Sequence, residues 1–237
     1  AMVSRCRANP PTDTPMDWPA LWLSVELALA TALILLPLGI VAARWLATSN
    51  HVLRPVLEAM LTLPLVLPPT VLGFYLLVAM GGASTLGAMF EQLFGHTLAF
   101  SFTGLLVASV IFNIPFALMP MQRAFESIPT ELHDAARTCG LSPWRRLWRV
   151  ELPLARRGIV SAMIMTGTHT MGEFGVVLMV GGSIPGQTRT IAISIYDKVQ
   201  AFDMAAAGIM SATLLVLSMA TLLASTWLSR PARTAHG

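Results

Sequence analysis

The chain has 237 residues, 55% of them hydrophobic and 11% charged, with a net charge of +3. Soluble domains average about 45–50% apolar and about 25% charged residues, so a soluble globular protein is excluded and one membrane domain is the economical count. The basic excess does not mark a nucleic-acid binder, because the cations are spread around apolar stretches as a topology signal. The two cysteines, Cys6 and Cys139, lack the spacing of a metal site.

Residues 1–19 carry Pro10, Pro11 and Pro15 among small polar residues. They have too little apolar surface to fold and are expected as a disordered outer tail. Met16 directly precedes the first apolar run and is an alternative start. Residues 21–43, 56–80, 98–121, 159–180 and 204–228 have the length of about 20 residues that a spanning helix needs. The first is too long for a secretory signal and lacks its small-residue cleavage site, so it is expected as a retained anchor.

In the second stretch Pro64, Pro68 and Pro69 fall near mid-membrane. Each removes a backbone donor and disturbs the carbonyl ladder, so a regular helix is not expected there. Irregular backbone at this depth is tolerated against protein or a water-filled cavity, which turns Pro64, Pro68, Pro69 and Thr70 toward the inside of the assembly. A structural kink alone is the other reading. Pro115 and Pro120 give the third stretch a milder version of the same signal.

A charged island follows at residues 131–153. Thr130 is expected as an N-cap, with Glu131 and Asp134 placed to favour the positive end of the helix dipole. Leu132, Ala135, Ala136 and Cys139 fall on one face of about two turns, which is too short to be stable without a host surface. Gly140 supplies the left-handed residue that ends such a helix, and Ser142-Pro143 opens the next. Trp144 and Trp148 beside Arg145, Arg146 and Arg149 suit an interfacial anchor. An ordinary cytoplasmic loop explains the arginines equally well, but not the small apolar face, the glycine and Leu152-Pro153 at their offsets.

With the first helix running inward, Arg44, Arg54, Arg123, Arg137, Arg145, Arg146, Arg149, Arg156, Arg157, Arg230 and Arg233 lie inside. Arg5, Arg7, Arg189 and Lys198 lie outside. This bias puts the N-terminus outside and the C-terminus, residues 230–237, in the cytoplasm.

Glu173 lies within the fourth stretch, where ionisable groups are expensive and functional, and it is expected to be paired or hydrogen-bonded. His169, four residues before it, either meets Glu173 or is satisfied by a neighbouring helix. Glu58 is expected to snorkel to the interface, and Glu26 has no assignment beyond its nearness to the outer surface. In the outer segment 181–200, Gln187 and Arg189 form a lip for an external partner, an electrostatic guide for an anion, or an ordinary solvated loop. No catalytic residue, metal ligand or cofactor site is expected, and the chain has no Gly-x-x-x-x-Gly-Lys-Ser/Thr phosphate loop.

The island resembles the Glu-Ala-Ala loop by which ABC import permeases hold their ATPase. Asp134 stands in the usual glutamate position and Val150 in the usual isoleucine position, while Ala135, Ala136, Gly140, Leu152 and Pro153 match. Residues 63–73, Gly172-Glu173-Phe174-Gly175 and residues 184–190 are similar to the molybdate branch of that family. The resemblance covers residues 20–229, with a coupling loop at 127–153. It implies an all-α, type I ABC importer permease fold with five transmembrane helices and a cytoplasmic coupling helix, in the bacterial inner membrane. It further implies ATPase coupling through Glu131, Leu132, Asp134, Ala135, Ala136, Gly140, Leu152 and Pro153. A pathway at Pro64, Pro68, Pro69, Thr70, Gly172, Glu173 and Gly175, and a binding-protein contact at Gln187 and Arg189, complete the expected site. The implied partners are a cytoplasmic ABC ATPase, an external oxyanion-binding protein, a second copy of the chain and the bilayer. A sulfate-type permease is the nearest alternative. A proton-coupled carrier explains Glu173 and His169 as a relay but lacks its usual internal repeats, and a purely structural membrane subunit does not explain the island.

Overall fold

A computed structural model describes residues 15–49 and 51–229. Among them all regular structure is helical, and no strand occurs. The expected cytoplasmic tail 230–237, and Arg5, Cys6 and Arg7, lie outside the described residues.

Helix α1 (Trp18–Thr48) has 31 residues. At 1.5 Å per residue that is about 46 Å, longer than the roughly 30 Å hydrocarbon layer, so the helix must tilt or project. Asp17 caps it, accepting from the Ala20 amide at 3.1 Å, and also accepts from Ser194 at 2.8 Å. Met16 is buried with Ile191 and Met210. The tail expected over 1–19 is therefore ordered at its inner edge, through long-range contacts that composition does not register; residues 1–14 lie outside the described residues.

The second stretch breaks. Helices α2 (Arg54–Val66) and α3 (Pro69–Met80) are bent by 107° relative to each other. Pro64 is absorbed inside α2, and the chain turns at Leu67 and Pro68, whose ψ angles of 138° and 133° are extended. Both residues precede a proline, which disfavours the helical region for them. Helix α4 (Thr85–Phe94), absent from the sequence reading, is capped by Ser84, which accepts from Gly87 at 2.9 Å, and by Gly95 at φ 75°. Helix α5 (Phe102–Glu126) runs unbroken through Pro115 and Pro120.

The island forms α6 (Thr130–Thr138), α7 (Pro143–Arg146) and a π-helical turn, Leu147–Glu151, that leads into α8 (Leu152–Gly172). The fourth stretch is then interrupted at Glu173 and Phe174 before α9 (Gly175–Gly181). Helix α10 (Ile191–Gln200) occupies much of the segment expected as an outer loop, and α11 (Met204–Ser229) closes the described chain.

Helices α1, α5 and α8 pack against one another; α11 lies on α8 and α10, α2 lies on α5, and α9 sits between α3 and α5. One apolar cluster joins Leu46, Met121, Phe125, Leu147 and Ile159, and another joins Leu23, Leu27, Leu105, Val177 and Ile193. Helices α1, α5 and α11 are long and apolar enough to cross a membrane, with the bent α2–α3 pair as a fourth candidate. Their outward residues, among them Trp22, Leu33, Leu215, Val216 and Trp227, are exposed on the single chain, the pattern of helices that meet lipid or another chain.

Candidate functional site

Helix α6 starts at Thr130 itself. Pro129 precedes it and no side chain caps it, so the expected Thr130 cap is not formed. Its other end follows the expectation. Leu141 N–H donates to Ala136 O at 3.1 Å and Gly140 N–H to Arg137 O at 2.9 Å, with Gly140 at φ 72°. This paired ending satisfies the last carbonyls and needs a left-handed residue. Ser142 Oγ then accepts from Arg145 N–H at 3.4 Å, with Pro143 as the first residue of α7. Glu131, Leu132, Asp134, Ala135 and Cys139 are exposed, and Ala136 alone is buried. The apolar face is thus divided: Ala136 faces the body, while Leu132 and Ala135 stay open beside the two acids. Leu152 is half-buried and Pro153 exposed where α8 begins.

Sequence reasoning missed Glu151. Its side chain is 1% exposed and accepts from the Arg44 Nε, from Arg44 Nη2 at 3.4 Å and from Arg146 Nε at 2.7 Å, with His133 Nδ1 at 3.5 Å. Burial on its own raises the carboxyl pKa, but the hydrogen bonds and charges of Arg44 and Arg146 outweigh it and hold the group below the usual carboxylate range. A depressed carboxyl stabilises the fold fully above its unfolded value, and this contribution is lost as pH falls through the folded one. The cluster is therefore complete at neutral pH.

At the broken helices a cavity of about 310 Å³ is lined by Pro69, Phe112, Thr168, His169, Gly172, Glu173, Phe174 and Gly175. It brings together Pro69, Gly172, Glu173 and Gly175 of the expected pathway; Pro64 is buried in α2, and Pro68 and Thr70 are exposed beside the break. The approach of α3 to α9 depends on glycine. A Cβ on Gly175 would stand 2.7 Å from Pro69 Cβ, and one on Gly73 would stand 2.8 Å from Met179 Cβ.

Glu173 is 6% exposed, and neither carboxylate oxygen has a hydrogen-bond partner among the described residues. The expected pairing is not formed. A proline frees carbonyls, which cannot serve a carboxylate, and the amides of Leu67, Val71 and Leu72 are already spent on Leu63 O and Pro68 O. His169 turns to a neighbouring helix instead. Its Nδ1 lies 3.0 Å from Asn113 Oδ1, and its ring stacks on Phe116 at 3.7 Å. Asn113 Nδ2 donates to Ser109 O at 2.8 Å, so Oδ1 accepts and His169 Nδ1 donates, which leaves Nε2 as the open ring nitrogen. Thr31 Oγ1 donates to Ser109 Oγ at 3.1 Å, extending this buried polar chain across α1, α5 and α8.

Glu58 does not stand alone at the interface. It accepts from Gln122 at 3.1 Å, and Gln122 and Arg54 both bind Glu126, at 3.0 and 2.9 Å. In the 181–190 segment, buried Thr188 donates to Gly181 O at 2.6 Å and accepts from Ile184 N–H at 3.1 Å. Arg189 donates to Ser183 Oγ at 3.0 Å and lies 3.5 Å from Asp197. Gln187 stays exposed next to Gly186, at φ 73°, in an open cavity that also holds Glu26 and His96.

Residues 35–233 match the family described as binding-protein-dependent transport system inner membrane component. The chain is 45% identical over 208 residues to the molybdenum transport system permease protein ModB of Azotobacter vinelandii, covering 88% of this chain and 92% of that one. The ModB of Escherichia coli K12 is 34% identical over 225 residues, covering 94% and 98%. A sulfate transport system permease protein, CysW of Synechocystis, is 31% identical over 217 residues, covering 90% and 78%. Among solved structures, a bacterial ABC transporter that imports the acidic polysaccharide alginate superposes with a TM-score of 0.73 at 15% identity, covering 90% of this chain and 78% of that one. The inward-facing MetNI methionine ABC transporter superposes at 0.69 and 16% identity, covering 89% and 93%. These likenesses show that the helices adopt the fold of ABC importer permeases.

Proposed function

This chain belongs to the family of binding-protein-dependent transport system inner membrane components, and on that footing we propose that it is the membrane-spanning subunit of an ABC importer that carries molybdate into the cytoplasm. Its polypeptide crosses the inner membrane five times, two of the crossings being the broken pairs α2–α3 and α8–α9, with the N-terminus outside. Two copies form the pore. A separate cytoplasmic ATPase hydrolyses ATP, and an external binding protein delivers the oxyanion near Gln187 and Arg189.

The observation that carries this reading is the exposed α6 helix, ended by Gly140 and followed by Leu152-Pro153 at the entry to α8. A short helix with Leu132, Ala135, Glu131 and Asp134 open to solvent needs a host surface, and the ATPase supplies it. ATP binding draws the ATPase subunits together, α6 transmits the movement, and the pore alternates between outward and inward access. The oxyanion passes the break between α2 and α3, beside Pro69 and Gly175. Similarity to CysW supports sulfate as a second substrate reading, because the two anions share tetrahedral shape and double charge; competition between labelled molybdate and excess sulfate separates them.

The test of docking is Gly140→Val. Open space surrounds a Cβ there, so the substitution strains only the left-handed backbone, by roughly 1–2 kcal/mol. Membrane insertion is expected to persist while copurification of the ATPase falls, and Gly140→Asn, which tolerates this conformation better, retains more. Full copurification and normal transport with valine would remove the docking assignment.

A further inference from the structure

Helix α6 is poorly equipped to push. It has nine residues, of which only Ala136 is buried, and turns at both ends. Apolar packing from it to the membrane helices therefore rests on Ala136 alone among its nine residues. Its side-chain route inward, among the described residues, is His133 to Glu151 at 3.5 Å.

Glu151 gathers the rest. Arg44 reaches both of its oxygens from the inner part of α1 and also donates to Pro143 O at 3.2 Å. Arg146 of α7 binds the oxygen that faces His133, at 2.7 Å. The carboxylate sits at the end of the π-helical turn, whose other buried residue is Leu147, and Leu152 opens α8 immediately after it. Separating a buried carboxylate from its cations is strongly unfavourable, so such a cluster moves as a unit.

We propose that Glu151 is the positioning residue that makes the coupling helix α6, the inner end of α1 and the start of α8 move as one body, and so converts ATPase movement into pore movement. This rests on the ABC importer reading. The proposal concerns transmission, so its readout is molybdate transported per ATP hydrolysed, counted per assembled complex.

The experiment uses the full permease–ATPase complex with its binding protein in proteoliposomes. Glu151→Gln keeps the volume but removes the charge. ATPase copurification is expected to be unchanged, while molybdate moved per ATP falls about tenfold, within the range over which coupling residues act. His133→Ala, outside the membrane helices, is expected to cut the same ratio without loss of protein, and His133→Arg, which puts a hydrogen-bond donor back opposite Glu151, is expected to return it. A purely structural role lowers the yield of complex but leaves the ratio of the surviving complexes at the parent value, and does not distinguish alanine from arginine at 133. An unchanged ratio in assembled Glu151→Gln and His133→Ala complexes overturns the proposal. A parent complex that moves no molybdate with ATP instead overturns the importer reading on which it rests.

Discussion

Glu173 presents two buried carboxylate oxygens that no described group satisfies, at the edge of the cavity between the broken helices. An unpaired buried polar group destabilises a fold by roughly 1–3 kcal/mol, so its presence points to a use other than stability. Glu173→Leu is expected to raise the thermal midpoint of the purified permease and to lower transport; Glu173→Gln is expected to keep substantial transport. A lower midpoint for the leucine variant would mean that the carboxyl finds a partner in the assembled protein. The residue itself is legible as an acid inside an apolar run, but its lack of a partner is not, because whether a buried carboxyl finds a donor depends on which helix packs beside it. Glu151 escaped notice for a different reason. Arg146 is five residues away, at a spacing outside the usual helical i+3 and i+4 pairs, and Arg44 lies 107 residues away on α1, a pairing that no local pattern encodes.

At the scale of the elements, Pro64, Pro68 and Pro69 made a break foreseeable, but its position depends on which residues precede a proline. The chain turns at Leu67 and Pro68 and leaves Pro64 inside α2. The interruption at Glu173 and Phe174 carries no proline, so the sequence predicts one continuous span across it. Helix α4 was announced only by Ser84 and Gly95 at its ends, and α10 only by the apolar spacing after Thr190, both hidden next to stronger signals. The turn of the island, by contrast, was readable to the residue, because Gly140 and Ser142-Pro143 act locally. The glycine contact of α3 with α9 gives a test at this scale. Gly175→Ala would drive a methyl group into rigid Pro69 and is expected to destabilise the permease by about 1–3 kcal/mol, read as a lower thermal midpoint and weaker transport. Wild-type behaviour would show that the two half-helices are free to part.

For the whole molecule, apolar length and composition were enough to place the chain in a bilayer, and the described helices supply α1, α5 and α11 as uninterrupted candidates for crossing it. Orientation rests on the arginines around α6 to α8. Cys139 is exposed at the end of α6 and reports on it directly: an impermeant thiol reagent is expected to leave it unlabelled in intact spheroplasts and to label it once the membrane is opened. Labelling before opening would reverse the orientation.

The central claim, that ATP hydrolysed by a partner drives an oxyanion through this subunit, is tested most directly by uptake of labelled molybdate into proteoliposomes that hold the permease, its ATPase and the external binding protein. Uptake is expected to require ATP on the ATPase side, to stop with a catalytically dead ATPase and to be indifferent to an imposed proton gradient. Uptake that proceeds without ATP, follows the proton gradient and is abolished by Glu173→Gln would contradict the claim in favour of a proton-coupled carrier.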